Sequence, residues 1–183
     1  MGKIIGYLDH GIKRCIKYYR KRVFLDHINS EEKSVNILGQ IYLNVPYHGK
    51  NVKIGKNVTI YPGVYFWGDG EISIGDNVSI GKDTIIYAAE RVHIGSDTNI
   101  AAQCYIIDSE HSCSKGVHIA KQKDTTSPIT IGDDVWIGAN VTVLAGSIIS
   151  SGAVIGAKAL VKGRIDENVI AVGIPAKERG KRI

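Results

Sequence analysis

Aliphatic residues return at every sixth position along most of this chain. Ile54, Ile60 and Phe66 open the series, Ile74, Ile80 and Ile86 continue it, and Ile94, Ile100 and Ile106 form a third set. After a gap the same step resumes through Ile131, Ile137, Val143, Ile149, Ile155 and Val161. Four residues beyond an aliphatic position stands a small or β-branched one, as at Val58, Val78, Thr84, Thr98, Cys104, Val135, Val141, Ser147, Ala153 and Ala159. Side chains two apart in a strand share a face, so the aliphatic residue and its small companion both point inward. Six residues are too few for a strand, a turn, a helix and a return. They suit one flat side and one corner of a coil, and three such sides close one turn of a triangular prism. The period therefore predicts an all-β parallel β-helix with an interior of stacked Ile and Val. Each coil buries its inner face only against the next, so stability comes from stacking.

Ile54, Ile74 and Ile94 are twenty residues apart, which is three hexapeptides and two more residues. One corner of the prism must therefore bulge by two residues in successive coils. The period does not set the hand of the coil, and parallel crossovers are generally right-handed.

Composition fits one compact unit. With 183 residues, 44% of them hydrophobic, the chain can bury a sizeable core without metals or disulfides. Its 21 glycines and two phenylalanines suit corners and aliphatic layers. Cys15, Cys104 and Cys113 are odd in number and form no Cys-x-x-Cys, which argues against a disulfide framework or a zinc site and for a reducing, cytoplasmic setting. No stretch has the length of a membrane span, and the N-terminus lacks the pattern of a signal peptide.

Charge divides the chain. Residues 1–33 hold eight Lys and Arg against four Asp and Glu, so four of the net +5 lie there. Ile4, Leu8, Ile12, Cys15, Ile16, Tyr19 and Val23 recur at helical spacing opposite most of these cations. Such a helix either packs its stripe on the prism as a cap, leaving a solvated basic face, or lies on an anionic membrane surface through residues 1–23, at the inner face of the membrane. The stripe is short and no nucleic-acid reading motif follows it, so no nucleic-acid partner is expected. The expected division is an N-terminal helical or irregular segment over 1–48, the β-helix over 49–176 with an insertion at 107–128, and a basic tail over 177–183.

The repeat breaks once. Between Ile106 and Ile131 runs a polar stretch containing Asp108, Glu110, His111, Cys113 and His118. An insertion in a rigid solenoid projects from one corner and can reach a ligand or another subunit. His111 follows two carboxylates, either of which can orient it or raise its basicity. From these residues alone, a catalytic His111 and an ordinary loop histidine are both open. His93, beside an inward aliphatic, should point outward.

The hexapeptides, the Asp-x-x-His element at Asp108–His111, the run Pro128-Ile-Thr-Ile-Gly-Asp-Asp-Val-Trp-Ile-Gly-Ala-Asn140 and the closing Ala171-Val-Gly-Ile-Pro-Ala-Lys177 together resemble the left-handed β-helix acyltransferases. Within them the similarity is to the maltose, galactoside and polysaccharide O-acetyltransferases, and it spans about residues 50–178. The resemblance implies a left-handed prism, a homotrimer, and active sites in grooves between prisms with acetyl-coenzyme A as co-substrate and no metal. It implies a saccharide acceptor, whether free, nucleotide-linked or lipid-linked, and a role in surface polysaccharide biosynthesis.

The implied chemistry is direct transfer. A sugar hydroxyl needs a base to take its proton as it attacks the thioester, and His111 matches that base, with Asp108 or Glu110 orienting it. The oxyanion needs preorganised donors, for which the resemblance offers a backbone amide at Gly138 or Ala139. Family members often carry serine where this chain has Ala139, so a hydroxyl contact is missing. Trp136 is either a lining residue or a corner anchor. Ala157, Lys162 and Gly163 match positions contacting the pantetheine and adenosine portions. Lys177, Arg179 and Lys181 either face the coenzyme phosphates or form an ordinary basic tail.

Three other readings stay in view. Cys113, two residues from His111, would allow an acetyl-enzyme route. The same scaffold acetylates amines, so an amino sugar or another small acceptor is the alternative substrate. A trimeric zinc enzyme of similar shape would use three histidines, for which only His93, His111 and His118 are candidates, at spacings that do not match. Tyr61, Tyr65, Phe66 and Trp67 either stack on sugar rings or pack at corners.

Overall fold

The computed structural model describes residues 22, 25, 29–30, 34–45 and 51–183. Three parallel sheets form the faces of a prism, and the chain visits them in rotation. The first face holds seven strands, from Asn29–Ser30 through Val52–Ile54, Glu71–Ile74, Arg91–Ile94, Ile129–Ile131 and Ile148–Ile149 to Arg164–Ile165. The second face begins at Val35–Ile37 and the third at Tyr42–Asn44. Coil stacks on coil in strict register. Ile54, Ile74, Ile94, Ile131, Ile149 and Ile165 form one column, and Ile60, Ile80, Ile100, Ile137, Ile155 and Ala171 form another. Phe66, Ile86, Ile106, Val143 and Val161 make the third. Every residue of the six-residue series is buried, as is every small companion named above.

Polar members of the interior are satisfied. Thr98 Oγ1 donates to the Gly132 carbonyl at 3.0 Å and accepts from the Val135 amide at 3.2 Å. The Ser147 hydroxyl donates to the Val161 carbonyl. Cys104 lies in the core as expected, its thiol on the Gly138 carbonyl at 3.2 Å. Burial pushes that thiol's pKa up, which makes it unreactive.

The corner after the first face needs one left-handed residue per coil. Asn57, Asn77, Asp97 and Asp134 take φ of 57°, 58°, 58° and 53° there, a region where Asn and Asp are the favoured non-glycine residues. Their side chains repeat the stacking of the backbone: Asn57 Nδ2 donates to Asn77 Oδ1 at 3.1 Å, and Asn77 Nδ2 donates to Asp97 Oδ1 at 2.9 Å. Just before this residue the coils touch through backbone. A Cβ on Gly95 would stand 2.5 Å from the Gly132 carbonyl carbon, so that position tolerates only glycine.

Both ends of the prism depart from the expected boundaries. A coil precedes residue 49, because strands Val35–Ile37 and Tyr42–Asn44 pair in parallel with Val58–Ile60 and Tyr65–Trp67. Val35 pairs with Val58, a step of 23 residues instead of twenty, which hides the coil from a six-residue reading. The basic tail is also structured. Lys177–Lys181 runs antiparallel to Val169–Val172 and closes the second face, and Arg182 reaches Asp134 at 2.8 Å. Most of the predicted N-terminal amphipathic helix, and with it the membrane contact of residues 1–23, lies outside the described residues. Arg22 and Leu25 are helical, and Leu25 packs half-buried against the core. No described helix is long and apolar enough to cross a membrane.

The corner ladder makes a stability prediction. Asn77→Val forces a β-branched side chain into the left-handed region and removes two side-chain bonds, and should cost about 2 kcal/mol or more. Asn77→Gly keeps the conformation and should cost less. Chemical denaturation of the three proteins checks the order, and equal losses would remove the conformational argument.

Candidate active site

Where the chain leaves the prism, Asp108 takes over the work of the missing coil. The amides of Ala89, Glu90 and Arg91 face the place where the next bulge would lie, and no carbonyls are there to receive them. The fully buried Asp108 carboxylate accepts all three, at 2.7, 2.8 and 2.7 Å. Its carbonyl accepts the Ser127 amide at 2.9 Å, so the two ends of the insertion are clamped together. Asp108 therefore does not orient His111, contrary to the expectation from sequence, because both of its oxygens are committed to backbone.

Above the clamp the insertion forms a hairpin, with Ser109–His111 antiparallel to Asp124–Thr126. The register sets His111 directly opposite Asp124, and His111 Nδ1 meets Asp124 Oδ1 at 2.5 Å. Asp124 holds the ring, a role the sequence reading had offered to Asp108 or Glu110. Glu110 instead pairs with Lys162 at 3.4 Å. An ionised carboxylate only accepts, so Nδ1 donates here, and in the neutral ring Nε2 keeps a lone pair. No described residue hydrogen-bonds Nε2. Further out, the Gln122 amide bridges Ser114 and Val117, which braces the hairpin's far end.

His111 opens onto a cavity of about 520 Å³. Trp67, Tyr87, Tyr105 and Ile107 from the third face make its floor, and Glu110, His111 and Asp124 make its wall. Burial raises the pKa of the Tyr105 phenol, with Tyr87 alongside, so the hydroxyl stays protonated and able to donate. Sequence reading missed Tyr87 and Tyr105. Each flanks a buried isoleucine, Ile86 or Ile106, and the alternation of a strand alone sends such neighbours outward. The aromatic cluster read from sequence divides: Phe66 is core, Tyr61 stands near the opposite end of the preceding turn, and Tyr65 and Trp67 are on the third face.

The residues matched to donor binding lie elsewhere on the prism. Trp136 is on a strand of the second face, 58% exposed and between Asn99 and Val154, so its side chain is outward. Gly138 and Ala139 form the corner between the second and third faces. Gly138 cannot donate to a ligand, because its amide is bonded to the Ile155 carbonyl at 2.8 Å. The Ala139 amide has no partner among the described residues. Ala157, Gly163 and Lys177 are exposed. None of Trp136, Ala139, Ala157 and Lys177 lines the cavity at His111. Lys162 is held by Glu110, on the histidine side. His93 points outward and meets Ser73 at 2.9 Å, Cys113 is exposed, and no described group of three His, Cys, Asp or Glu side chains could hold a metal.

A family profile described as the bacterial transferase hexapeptide (six repeats) matches residues 128–163, and one described as the hexapeptide repeat of succinyl-transferase matches residues 71–108. The putative lipopolysaccharide biosynthesis O-acetyl transferase WbbJ of Escherichia coli K12 is 38% identical over 137 residues, covering 69% of this chain and 70% of that protein. The putative colanic acid biosynthesis acetyltransferase WcaF of the same organism is 33% identical, covering 68% of this chain and 66% of its own. Among solved structures, AntD, an N-acyltransferase from Bacillus cereus in complex with dTDP and 3-hydroxybutyryl-CoA, superposes with a TM-score of 0.75 at 22% identity, covering 89% of this chain and 88% of that one. The chain belongs to the hexapeptide-repeat acyltransferases, and its prism is the left-handed β-helix of that class. It is an acyltransferase.

The clamp depends on the Asp108 carboxylate. Asp108→Asn replaces one accepting oxygen with a donor aimed at amides and should lower stability by roughly 1–3 kcal/mol. Trypsin should then cut faster at Lys115, Lys121 and Lys123. Unchanged stability and cleavage would show that the clamp does not depend on the carboxylate.

Proposed function

We propose that the protein transfers an acetyl group from acetyl-coenzyme A to a saccharide hydroxyl during surface polysaccharide synthesis, with His111 as general base. The observation that carries this reading is the His111–Asp124 pair at 2.5 Å over an aromatic-floored cavity. A sugar hydroxyl is too weak a nucleophile at neutral pH, and Nε2 with its lone pair directed outward can take the proton as the oxygen attacks. Asp124 fixes the tautomer and stabilises the imidazolium that follows. The names of WbbJ and WcaF, which specify O-acetyl transfer and polysaccharide synthesis, support the acceptor class.

The chain's residues suit the donor. The unpartnered Ala139 amide is a donor for the negative charge that develops on the thioester oxygen. The exposed Trp136 offers an apolar surface beside it, and Lys177, Arg179 and Lys181 supply cations for phosphates. These groups stand on the second face or at the corner that follows it, away from His111. We therefore infer a homotrimer in which the base of one prism faces the donor-binding corner of the next, so that each site is shared. Acetylation of an amine is the second reading, since AntD is an N-acyltransferase of the same fold.

His111→Ala should leave folding intact and slow transfer at least about a hundredfold, while Asp124→Asn should lower kcat by about tenfold or more with little change in the KM for acetyl-coenzyme A. Matched acceptors bearing a hydroxyl or an amino group at one carbon, assayed with labelled acetyl-coenzyme A, separate the two readings. Near-normal turnover by His111→Ala would remove the proposed base. Co-assembled His111→Ala and Ala139→Trp chains, each inactive alone, should regain part of the activity, and verified exchange without recovery would overturn the shared site.

A further inference from the structure

On the third face a run of aromatic rings climbs to the cavity at His111. Tyr42 meets Tyr65 edge-on with centroids 5.9 Å apart, Tyr65 stacks on Trp67 at 5.9 Å and 11°, and Trp67 meets Tyr87 edge-on at 5.0 Å. Trp67 and Tyr87 are themselves part of the cavity floor, so the run is continuous with the site. We propose that this face is an acceptor track, and that the natural acceptor is an uncharged glycan chain of several pyranose units, not a single sugar or a nucleotide sugar. The inference rests on the saccharide reading above and narrows it.

Tyr42, Tyr65 and Trp67, and Tyr87 belong to three successive coils, and Tyr105 to the fourth. Strand spacing makes three coil steps ~14 Å long, well beyond one sugar ring. A monosaccharide at His111 would leave Tyr42 and Tyr65 without use. These are costly residues to leave on a surface: Tyr42 is 47% and Trp67 41% exposed. The inward positions between them, Leu43 and Phe66, supply the packing, so core formation does not account for the outward rings.

Ring chemistry points the same way. Pyranoses present flat C–H faces that rest on aromatic π-faces, while their equatorial hydroxyls reach sideways to groups such as tyrosine hydroxyls. The remaining described outward residues along the run are Asn44, Ile85 and Ile107, so the track is free of charge until Glu110 and His111. A sugar diphosphate lying over these strand residues would find no cation among them, and Lys162, beyond the run, is already paired with Glu110, so its charge would be poorly compensated. A neutral chain meets no such penalty. The end of that chain, or one internal residue of it, would then be the unit whose hydroxyl lies at His111.

Titration of the full-length protein with cello-oligosaccharides and chito-oligosaccharides, from monosaccharide to pentasaccharide, tests the track without the acetyl donor. The chain has two tryptophans, so a Trp136→Phe background leaves Trp67 as the reporter. Emission from Trp67 should respond, with Kd falling at least about tenfold between one unit and four. Tyr42→Ala should abolish the gain from the longer oligomers. Length-independent binding, an unresponsive Trp67, or tighter binding of UDP-glucose than of the pentasaccharide would overturn the track. So would dissociation of the assembly on Tyr42→Ala or Trp67→Ala, measured by light scattering, since that would make the face a contact between subunits. Length-dependent binding with no acetylation of any glycan would instead sink the transfer reading and leave the track standing.

Discussion

A single coil of this protein can satisfy neither its backbone nor its inward side chains. Each strand of two to four residues finds its hydrogen bonds only on the coils above and below, and each Ile column is dry only because another Ile follows. The shared pitch of the coils then governs everything attached to them. It sets the spacing of the Asn and Asp ladder at one corner, the approach of Gly95 to Gly132, and the separation of rings on the third face. It also explains where irregularity is tolerated. A coil can be interrupted only if something else receives the amides it would have paired, and Asp108 is that substitute.

The interior was legible because burial in a strand repeats with period two and the coil repeats with period six. Every Ile and Val of the series could be assigned to the core without knowing any contact. The corner residues went unread, although Asn and Asp tolerate the left-handed region and occupy it at Asn57, Asn77, Asp97 and Asp134. What the pattern hid were features that depend on register between distant segments. Asp124 is thirteen residues from His111 and becomes its partner only because the hairpin sets the two opposite each other. Asp108 sits three positions from His111 and reads as its helper, yet the prism needs it more. The coil around Val35 escaped because its step to the next coil is longer.

The separation of the proposed base from the unpartnered Ala139 amide follows from the same geometry. A triangular prism has three corners, and the insertion uses one while the Trp136–Asn140 turn uses another. Side chains on different corners of one convex body do not converge on a common point. In the proposed trimer, a second prism turned through a threefold rotation would bring unlike corners together, so that a rigid and rather featureless rod would gain a cleft by assembly. The aromatic face shares its floor with the cavity at His111, the corner that such a cleft would use.

The clamp at Asp108 has a consequence for the insertion. Because Asp108 and Ser127 close the base of the insertion, the residues between them add little strain to the prism whatever their number, and closure entropy rises only slowly with length. The insertion could therefore be lengthened or shortened at little cost to the scaffold's stability. The cavity wall can then be rebuilt at a single interchangeable cassette without disturbing the stacked columns beneath it.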